Sequence, residues 1–299
     1  MTALRALLAG SIDYAGLFPP AGLALSEAAA NYAAYREGEA AWALGRFVVP
    51  AARLLEFEKA AATLLPARPA GEPWRLAALL GADPAADLRA IGEFNCRHAA
   101  TGAGAVEADV VEAKAGDVNA VASLLCLVPE YLEAYVEVPV DEDPAPLIRA
   151  ISEGSGRAKI RTGGVTPDAF PSAAAIARFI AACVETGVPF KATAGLHHPL
   201  RAVYPLTYAP DSPRGAMFGF LNVILAAAFM SHGLDATAAV RLLEEADPSS
   251  LRLTEDGVEW RGHRLGAGEV AAARGHTIVS FGSCSFTEPL GDLAALGLL

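Results

Sequence analysis

The chain has 299 residues, of which 53% are hydrophobic and 19% charged, and its formal net charge is −11. This composition excludes a disordered chain, and the length allows one large core that needs no disulfide or metal for stability. An acidic protein of this kind is not expected to bind nucleic acid or an anionic membrane, although a small cationic pocket remains possible.

The cysteines and the apolar stretches indicate a cytoplasmic protein. The four cysteines have no C-x-x-C spacing, which is typical of reduced thiols. The first ten residues lack the long apolar segment of a secretory signal. The longest apolar stretch, Ala216–Met230, is shorter than the ~20 residues of a membrane span, so we expect a buried core helix there.

Short β-branched runs alternate with Ala- and Leu-rich helical patterns along the chain. Strands are predicted at Ile12–Phe18, Trp42–Val49, Trp74–Leu80, Asp109–Lys114, Leu132–Val138, Ala158–Arg161, Pro189–Thr193 and Thr277–Phe281. Helices are predicted from about Ser26, over Ala52–Leu65, Pro84–Ala99, Val118–Val128, Pro144–Glu153 and Ser172–Thr186, and from Glu288. Strict alternation implies a parallel sheet, and eight units favour an α/β fold of the (β/α)₈ TIM-barrel type. A doubly wound open sheet is the alternative.

One excursion, at about 196–275, interrupts this alternation between the seventh and eighth strands. It holds a Pro-rich loop, the apolar helix, a helix over Ala236–Ala246, and a hairpin of Leu251–Leu253 with Val258–Trp260 around Asp256-Gly257. No linker-like composition separates it from the rest of the chain. We therefore expect a single domain over residues 1–299, with the insertion capping the C-terminal mouth of the barrel.

Charged side chains stand near the carboxyl ends of the predicted strands, where barrels of this type carry out catalysis. They are Asp13, Arg46, Glu112, Lys114, Glu137, Lys159, Arg161 and Lys191, followed by His197 and His198 beyond the seventh strand. Burying an unpaired lysine is costly, so each needs a partner or a function. The set predicts a locally cationic pocket for a small substrate with a carboxylate or phosphate, with Arg161 as the best bidentate ligand.

Two lysines on adjacent strands suit a specific chemistry. One of Lys159 and Lys191 could act as a Schiff-base nucleophile while the other, by charge repulsion, lowers its pKa to near 8. Glu112 or Glu137 would then shuttle protons. A glutamate between the two lysines would reverse this effect, because it favours the charged form, and lysine–glutamate pairs at ~3 Å would favour an anion-binding or metal site instead.

Small residues follow three of the strands and predict an anion-binding rim. They are Thr162, Gly163 and Gly164 after the sixth strand, Thr193 and Gly195 at the seventh, and Gly282 and Ser283 at the eighth. Loops at these places present backbone N–H groups to a phosphate or carboxylate. By contrast, Cys284 has no histidine at a defined spacing and is expected to be structural.

The lysine strands resemble those of deoxyribose-phosphate aldolases. The segments AKIRTG (158–163) and FKATAG (190–195) are similar to that family's K-x-x-T-G and K-A-S/T-x-G strands, and 12–21 is similar to its I-D-H-x-x-L-x-P-x-A opening, with Tyr14 at the histidine. The resemblance implies Lys159 as the Schiff base, Lys191 as its perturber, Asp13 near the substrate, and Gly163, Gly195 and Ser283 at the phosphate. It leaves open whether Asp109, Glu112 or Glu137 is the acid.

Three functions are therefore considered. The favoured one is a lyase of the class I aldolase type, without a cofactor, acting on a small anionic carbonyl compound. The second is a metal-dependent lyase or isomerase, with a divalent ion held by His197, His198 and Glu137. The third is a non-catalytic binding barrel, in which the apolar helix and the Pro-rich loop form a homo-oligomer interface.

Overall fold

The protein is described by a computed structural model that covers residues 2–69, 71–100 and 102–299. The strands are β1 (Ile12–Tyr14), β2 (Leu44–Pro50), β3 (Trp74–Leu79), β4 (Val106–Lys114), β5 (Glu133–Glu137), β6 (Arg157–Arg161), β7 (Phe190–Thr193), β8 (Ala202–Pro205), β9 (Arg214–Met217), β10 (Leu251–Leu253), β11 (Gly257–Trp260), β12 (His263–Gly266) and β13 (Ile278–Ser283). The helices are α1 (Ala3–Leu8), α2 (Leu25–Glu37), α3 (Leu54–Ala61), α4 (Pro84–Ala99), α5 (Val118–Leu127), α6 (Ala145–Glu153), α7 (Ala173–Thr186), α8 (Phe220–Met230), α9 (Ala236–Leu243), α10 (Ala267–His276) and α11 (Thr287–Ala295).

Eight strands form a closed parallel barrel in the order β1-β13-β7-β6-β5-β4-β3-β2. The barrel closes through β1, which pairs in parallel with both β13 and β2. Helices alternate with these strands along the chain. The fold is thus an α/β barrel of the (β/α)₈ type, as the alternation predicts, and the open sheet is excluded.

Local sequence signals set the helix boundaries. Asp83 caps α4 by accepting a hydrogen bond from the Ala86 amide at 3.0 Å, and a proline follows at the first helical position. Asp117 and Ser172 cap α5 and α7 in the same way. These caps explain why α4 has the predicted bounds and why α5 and α7 lie within a residue of theirs.

The excursion between β7 and β13 separates into two parts. The antiparallel hairpin β8–β9 brings Leu206 and Met217 to the mouth of the barrel. Helix α8 is buried along its whole length and stacks Phe220 on Phe281 of β13. It therefore belongs to the outer helical wall, as expected for a core helix.

The rest of the excursion lies away from the mouth. The predicted hairpin is present as β10–β11, and a third strand, β12, adds to it. The amide of Ala3, in the helix that precedes β1, donates to the Thr254 carbonyl at 3.0 Å, which ties this small sheet to the chain before the barrel. The expected cap over the C-terminal mouth is therefore supplied by hairpin β8–β9 and not by the whole insertion.

The inside of the barrel is divided between apolar and charged side chains. Val48, Ala77, Val110 and Tyr135 form a small apolar cluster on β2 to β5. The buried charged side chains of the barrel strands are Asp13, Lys159 and Lys191 on β1, β6 and β7, with Glu112 and Glu137 on β4 and β5. This division places charged groups and an apolar surface around one space.

One stretch of the chain, Pro167–Thr186, is long and apolar enough to pass a test for a membrane-crossing helix. Within it, helix α7 begins only at Ala173, and eight of its residues are buried in the core. A core helix of a folded domain passes the same test, so this stretch is weak evidence for a membrane segment.

Candidate functional site

Lys159 and Lys191 occupy matching positions on the neighbouring strands β6 and β7. Both point into the barrel, and their exposed fractions are 6% and 2%. The predicted arrangement of two inward-facing lysines at the same height is therefore present. Since the chain has four lysines in all, half of them are buried in this one place.

Carboxylates surround both ammonium groups. One oxygen of Glu112 lies 2.7 Å from Lys159 Nζ and the other lies 2.6 Å from Lys191 Nζ. Glu137 lies 2.9 Å from Lys159 Nζ, and Asp13 lies 2.6 Å from Lys191 Nζ. The result is a buried chain of alternating charge, with Glu112 at its centre.

This arrangement corrects the expected pKa of the nucleophile. Burial lowers the pKa of Lys159, but the attraction of Glu112 and Glu137 raises it by a larger amount, so the net shift of the pKa is upward. The pKa of Lys191 is raised in the same way by Asp13 and Glu112. A pKa near 8 requires two facing lysines with no carboxylate between them, whereas Glu112 stands between these two and outweighs their repulsion. In return, the lysines hold the pKa of Glu112 at about 2 despite its burial.

Asp13 is fixed by neighbours that the sequence did not indicate. Ser280 Oγ donates to its Oδ2 at 2.8 Å, and the Arg46 amide donates to its Oδ1 at 2.7 Å. An added Cβ at Gly45 would lie 2.4 Å from the same carboxylate. These contacts therefore fix the Asp13 carboxylate in the position from which it binds Lys191.

A cavity of about 950 Å³, including the space open to solvent, lies above these groups. Lys159, Lys191 and Glu112 form part of its wall. The apolar part of the wall includes Ala15, Phe18, Pro19, Pro20, Val48, Leu79, Val165, Leu206 and Met217. The cavity thus presents reactive polar groups on one side and a hydrocarbon surface on the other.

Only some residues of the predicted anion-binding rim line this cavity. Arg161 and Gly164 border it, together with Ala194 and Gly195. No backbone carbonyl of the described residues accepts a hydrogen bond from the amides of Gly164, Ala194 or Gly195. Ala194 and Gly195 have φ values of 66° and 73°, a conformation that is strained for the alanine. These amides and the Arg161 guanidinium are available to an anion.

Other rim residues have different roles. Thr162 Oγ1 donates to the Ala194 carbonyl at 2.7 Å and so supports the strained loop. Gly163 lies beneath Phe170, where an added Cβ would approach the ring to 2.4 Å. Thr193 and Gly282 border the cavity, but Ser283 does not. Side chains alternate along a strand, so Cys284 faces the cavity in place of Ser283.

Two predicted cations lie elsewhere, which corrects their assignment. Arg46 is the third of seven residues in β2, low in the barrel, and pairs with Asp109 through two bonds of 2.8 and 2.9 Å. Lys114 has a side chain that is 77% exposed, and it lies 3.4 Å from Glu137, outside the main cavity. Arg46 is therefore not placed to contact a ligand there, whereas Lys114 lines a neighbouring pocket that shares Glu112, Lys159 and Arg161 with the main cavity.

The cavity is not strongly cationic, contrary to expectation. Its positive groups are Lys159, Arg161, Lys191 and His197, and the carboxylates bound to three of them are Asp13, Glu112, Glu137 and Glu288. The charges balance because the structure pairs them. Within the described residues Arg161 forms no ion pair, so it is the one cation left for a substrate.

A second polar cluster at the mouth was not anticipated. His197 Nδ1 lies 3.1 Å from Glu288, and its ring lies 3.8 and 3.9 Å from Cys284 Sγ. Tyr208 donates to Glu288 at 3.1 Å. His198, which follows His197 in the chain, points to Asp292 instead, with Nδ1 2.6 Å from the carboxylate, and its ring stacks on Tyr204. His198 is therefore not part of the cavity wall.

The three candidate metal ligands are each bound to another side chain. Glu137 is bound to Lys159, whereas His197 and His198 are bound to Glu288 and Asp292. Among the described residues, no group of three or more His, Cys, Asp or Glu side chains is arranged to hold a metal ion. The three proposed ligands are therefore not brought together.

Comparison with known proteins does not assign this chain to a family. A scan against protein-family models and a search of curated proteins returned no match. What the cavity does chemically is therefore inferred from its own residues.

Proposed function

We propose that the protein is a lyase of the class I aldolase type, which forms a Schiff base between Lys159 and a small anionic carbonyl compound. The observation that carries the proposal is the shared carboxylate. Glu112 binds Lys159 and Lys191 at 2.7 and 2.6 Å on the wall of a cavity at the C-terminal end of the barrel. Buried lysines in such a place need a function or a partner, and an amine at a barrel mouth can attack a carbonyl.

Lys159 is the better nucleophile of the two. Lys191 is held at 2.6 Å by each of two carboxylates and is 2% exposed, so it keeps its proton. Lys159 is bound less closely and is more exposed, at 6%. We therefore assign the attack on the carbonyl to Lys159 and a fixed positive charge to Lys191.

Lys159 must lose a proton before it attacks, and two routes can be compared. Ordinary lysine and glutamate pKa values differ by about six, so transfer to Glu137 costs at least about 8 kcal/mol. Release to water at pH 7 costs at least about 5 kcal/mol on the same scale. Both fit within the ~17 kcal/mol barrier of a reaction near 1 s⁻¹, but release to water is the cheaper route.

The carboxylates then act after the proton has left. An iminium on Lys159 carries the positive charge of the lost ammonium, so it keeps the attraction of Glu112 and Glu137. Both carboxylates remain ionised, since the lysines lower the pKa of Glu137 as well as that of Glu112. Either can remove the proton next to the iminium carbon, which is the step that prepares carbon–carbon bond formation or cleavage.

The rim favours an anionic group on the substrate. Arg161, Gly164, Ala194 and Gly195 line the same cavity as Lys159. A carboxylate or phosphate there would orient the carbonyl toward the lysine. The apolar wall at Phe18 and Leu79 would contact the carbon chain.

Exchange of carbonyl α-protons with D₂O tests the proposal. Proton NMR would follow acetaldehyde and pyruvate with the wild-type protein, the Lys159→Met variant, and a Lys59→Met variant at an exposed lysine. We expect exchange with the wild type and Lys59→Met, and none above background with Lys159→Met. Exchange that persists in Lys159→Met, or is absent from the wild type, would overturn it.

A further inference from the structure

Cys284 is the residue after the last barrel strand, and its side chain forms part of the cavity wall. It is 5% exposed and thus nearly enclosed. Its surroundings differ from those of Cys183, which lies in the apolar core of α7 and whose pKa burial raises. Cys284 faces polar groups instead.

These groups lie in the order acid, imidazole and thiol. Glu288 Oε2 lies 3.1 Å from His197 Nδ1, and Cys284 Sγ lies beside the ring, 3.8 Å from this nitrogen and 3.9 Å from Nε2. Tyr208 lies 3.1 Å from the same oxygen of Glu288 and 3.7 Å from the sulfur. The four residues come from three segments of the chain, because Cys284 and Glu288 are only four positions apart, and each contacts at least two of the others. An imidazole that contacts both a carboxylate and a thiol is a combination that can activate a nucleophilic sulfur.

The charges around the imidazole favour its protonated form. Burial lowers the pKa of His197, but hydrogen bonds to Cys284 and Glu288 outweigh it and raise the pKa to about 9. A protonated imidazole at this distance can give its proton to an oxygen that forms beside the sulfur. The titratable or charged groups near the pair are Tyr14, His198, Tyr208 and Glu288, with Glu112, Lys159, Arg161 and Lys191 on the same cavity wall.

We propose that Cys284 is a second nucleophile of this cavity, activated by His197, and that it adds reversibly to the carbonyl carbon of small aldehydes. The thiolate sulfur forms a bond to that carbon, and the carbonyl π electrons move to the oxygen. The oxygen takes the proton of the His197 imidazolium, which leaves a neutral imidazole and a hemithioacetal. The step needs no oxidant, and its reversal restores the thiolate and the imidazolium.

Alkylation by iodoacetamide at pH 6.5, followed by peptide mass spectrometry, tests the nucleophile. The exposed Cys96 and Cys126 are the internal reference, since both thiols are open to the reagent. We expect Cys284 to react at least tenfold faster than these two, although it is buried. Reaction at or below their rate would overturn the proposal.

Variants of the neighbouring residues distinguish activation of the Cys284 thiol from its accessibility to the reagent. His197→Asn should slow the alkylation of Cys284 at least tenfold. Glu288→Gln should slow it severalfold. His198→Asn, next to His197 but outside the cavity wall, should leave the rate unchanged. If His197→Asn does not fold, Glu288→Gln decides the matter. An unchanged rate in the folded variants would contradict activation by His197.

The aldehyde partner is tested in the Lys159→Met variant, in which the proposed Schiff base cannot form. Acetaldehyde should protect Cys284 from iodoacetamide in this variant, and removal of the aldehyde should restore the reaction. Lack of protection would contradict aldehyde addition. This result is independent of the lysine, so rapid alkylation in Lys159→Met would stand even if no Schiff base forms in the wild type.

Discussion

Lys159 and Lys191 are direct partners in the register of β6 and β7, and one carboxylate, Glu112, binds both. Neighbouring parallel strands lie ~4.8 Å apart, so two bare ammonium groups at this height would repel strongly. Glu112 replaces that repulsion with two attractions. The pair is therefore a stable, charged resting state, from which one lysine must be deprotonated before it can react.

Replacing the shared carboxylate should cost a large part of the stability. Glu112→Gln leaves two buried ammonium groups short of one counter-charge, and breaking such a pair costs about 3–5 kcal/mol. Urea denaturation at pH 7 would measure it. Glu107→Gln, at a half-exposed ion pair with Arg75, is the matched control and should change the free energy of unfolding by less than about 1 kcal/mol.

The same substitution predicts a pH dependence. The folded pKa of Glu112 is about 2, below the ~4.3 of an unfolded glutamate. Its contribution is therefore full above that unfolded value and is lost as the pH falls toward 2. The stability difference between wild type and Glu112→Gln should shrink over this range, and a constant difference would contradict the assignment.

The rate of the proposed reaction should rise with pH. The pKa of Lys159 is raised above its ordinary value, so the fraction of neutral amine grows about tenfold per pH unit from pH 7 to 10. We expect the α-proton exchange of acetaldehyde to follow this slope. A plateau above pH 8 would mean that Lys159 titrates near 8 and that Glu112 does not control it.

Arg161 should determine the preference for an anionic substrate. It is the unpaired cation of the cavity wall among the described residues, so Arg161→Gln should raise the KM for pyruvate roughly tenfold to a hundredfold through the loss of a charged hydrogen bond. The kcat should change little, and the KM for neutral acetaldehyde should stay constant. Arg97→Gln, at an ion pair with Glu58 away from this cavity, is the control. Equal effects on both substrates would contradict an anion-binding role.

The loop at Gly195 should tolerate no side chain. Gly195→Ala combines a φ of 73° with contacts of 2.9 Å to Phe170 and 3.2 Å to Gly163. Gly187→Ala has a similar φ of 69° but meets nothing within 4 Å, so it should cost only the ~1 kcal/mol of backbone strain. Thermal denaturation should show a larger loss for Gly195→Ala, together with a higher KM for pyruvate. Equal losses would mean that the loop adapts freely.

The order of the elements and the charged residues of the site could be predicted from sequence because both depend on local patterns. Hydrophobic periodicity and caps such as Asp83 identify strands and helices within a few residues. Alternation along a strand then places Lys159 and Lys191 inside the barrel. These inferences need no knowledge of which residues meet across the fold.

The pairing of charges could not be predicted, since it depends on contacts between distant segments. Glu112 and Lys191 are separated by 79 positions, and His197 and Glu288 by 91. The exact residue at which a strand ends also decides which side chains border the cavity. Strand β13 extends to Ser283, two residues beyond the predicted end, so Cys284 rather than Ser283 borders the cavity.

Borohydride trapping tests the central claim most directly. The wild-type protein would be incubated with pyruvate, reduced with sodium borohydride and digested, and each of the four lysines would be examined for the adduct by mass spectrometry. We expect the reduced adduct on Lys159 and not on Lys59, Lys114 or Lys191, with its yield rising from pH 7 to pH 9. An adduct on another lysine, or none on Lys159 over this range, would contradict the account.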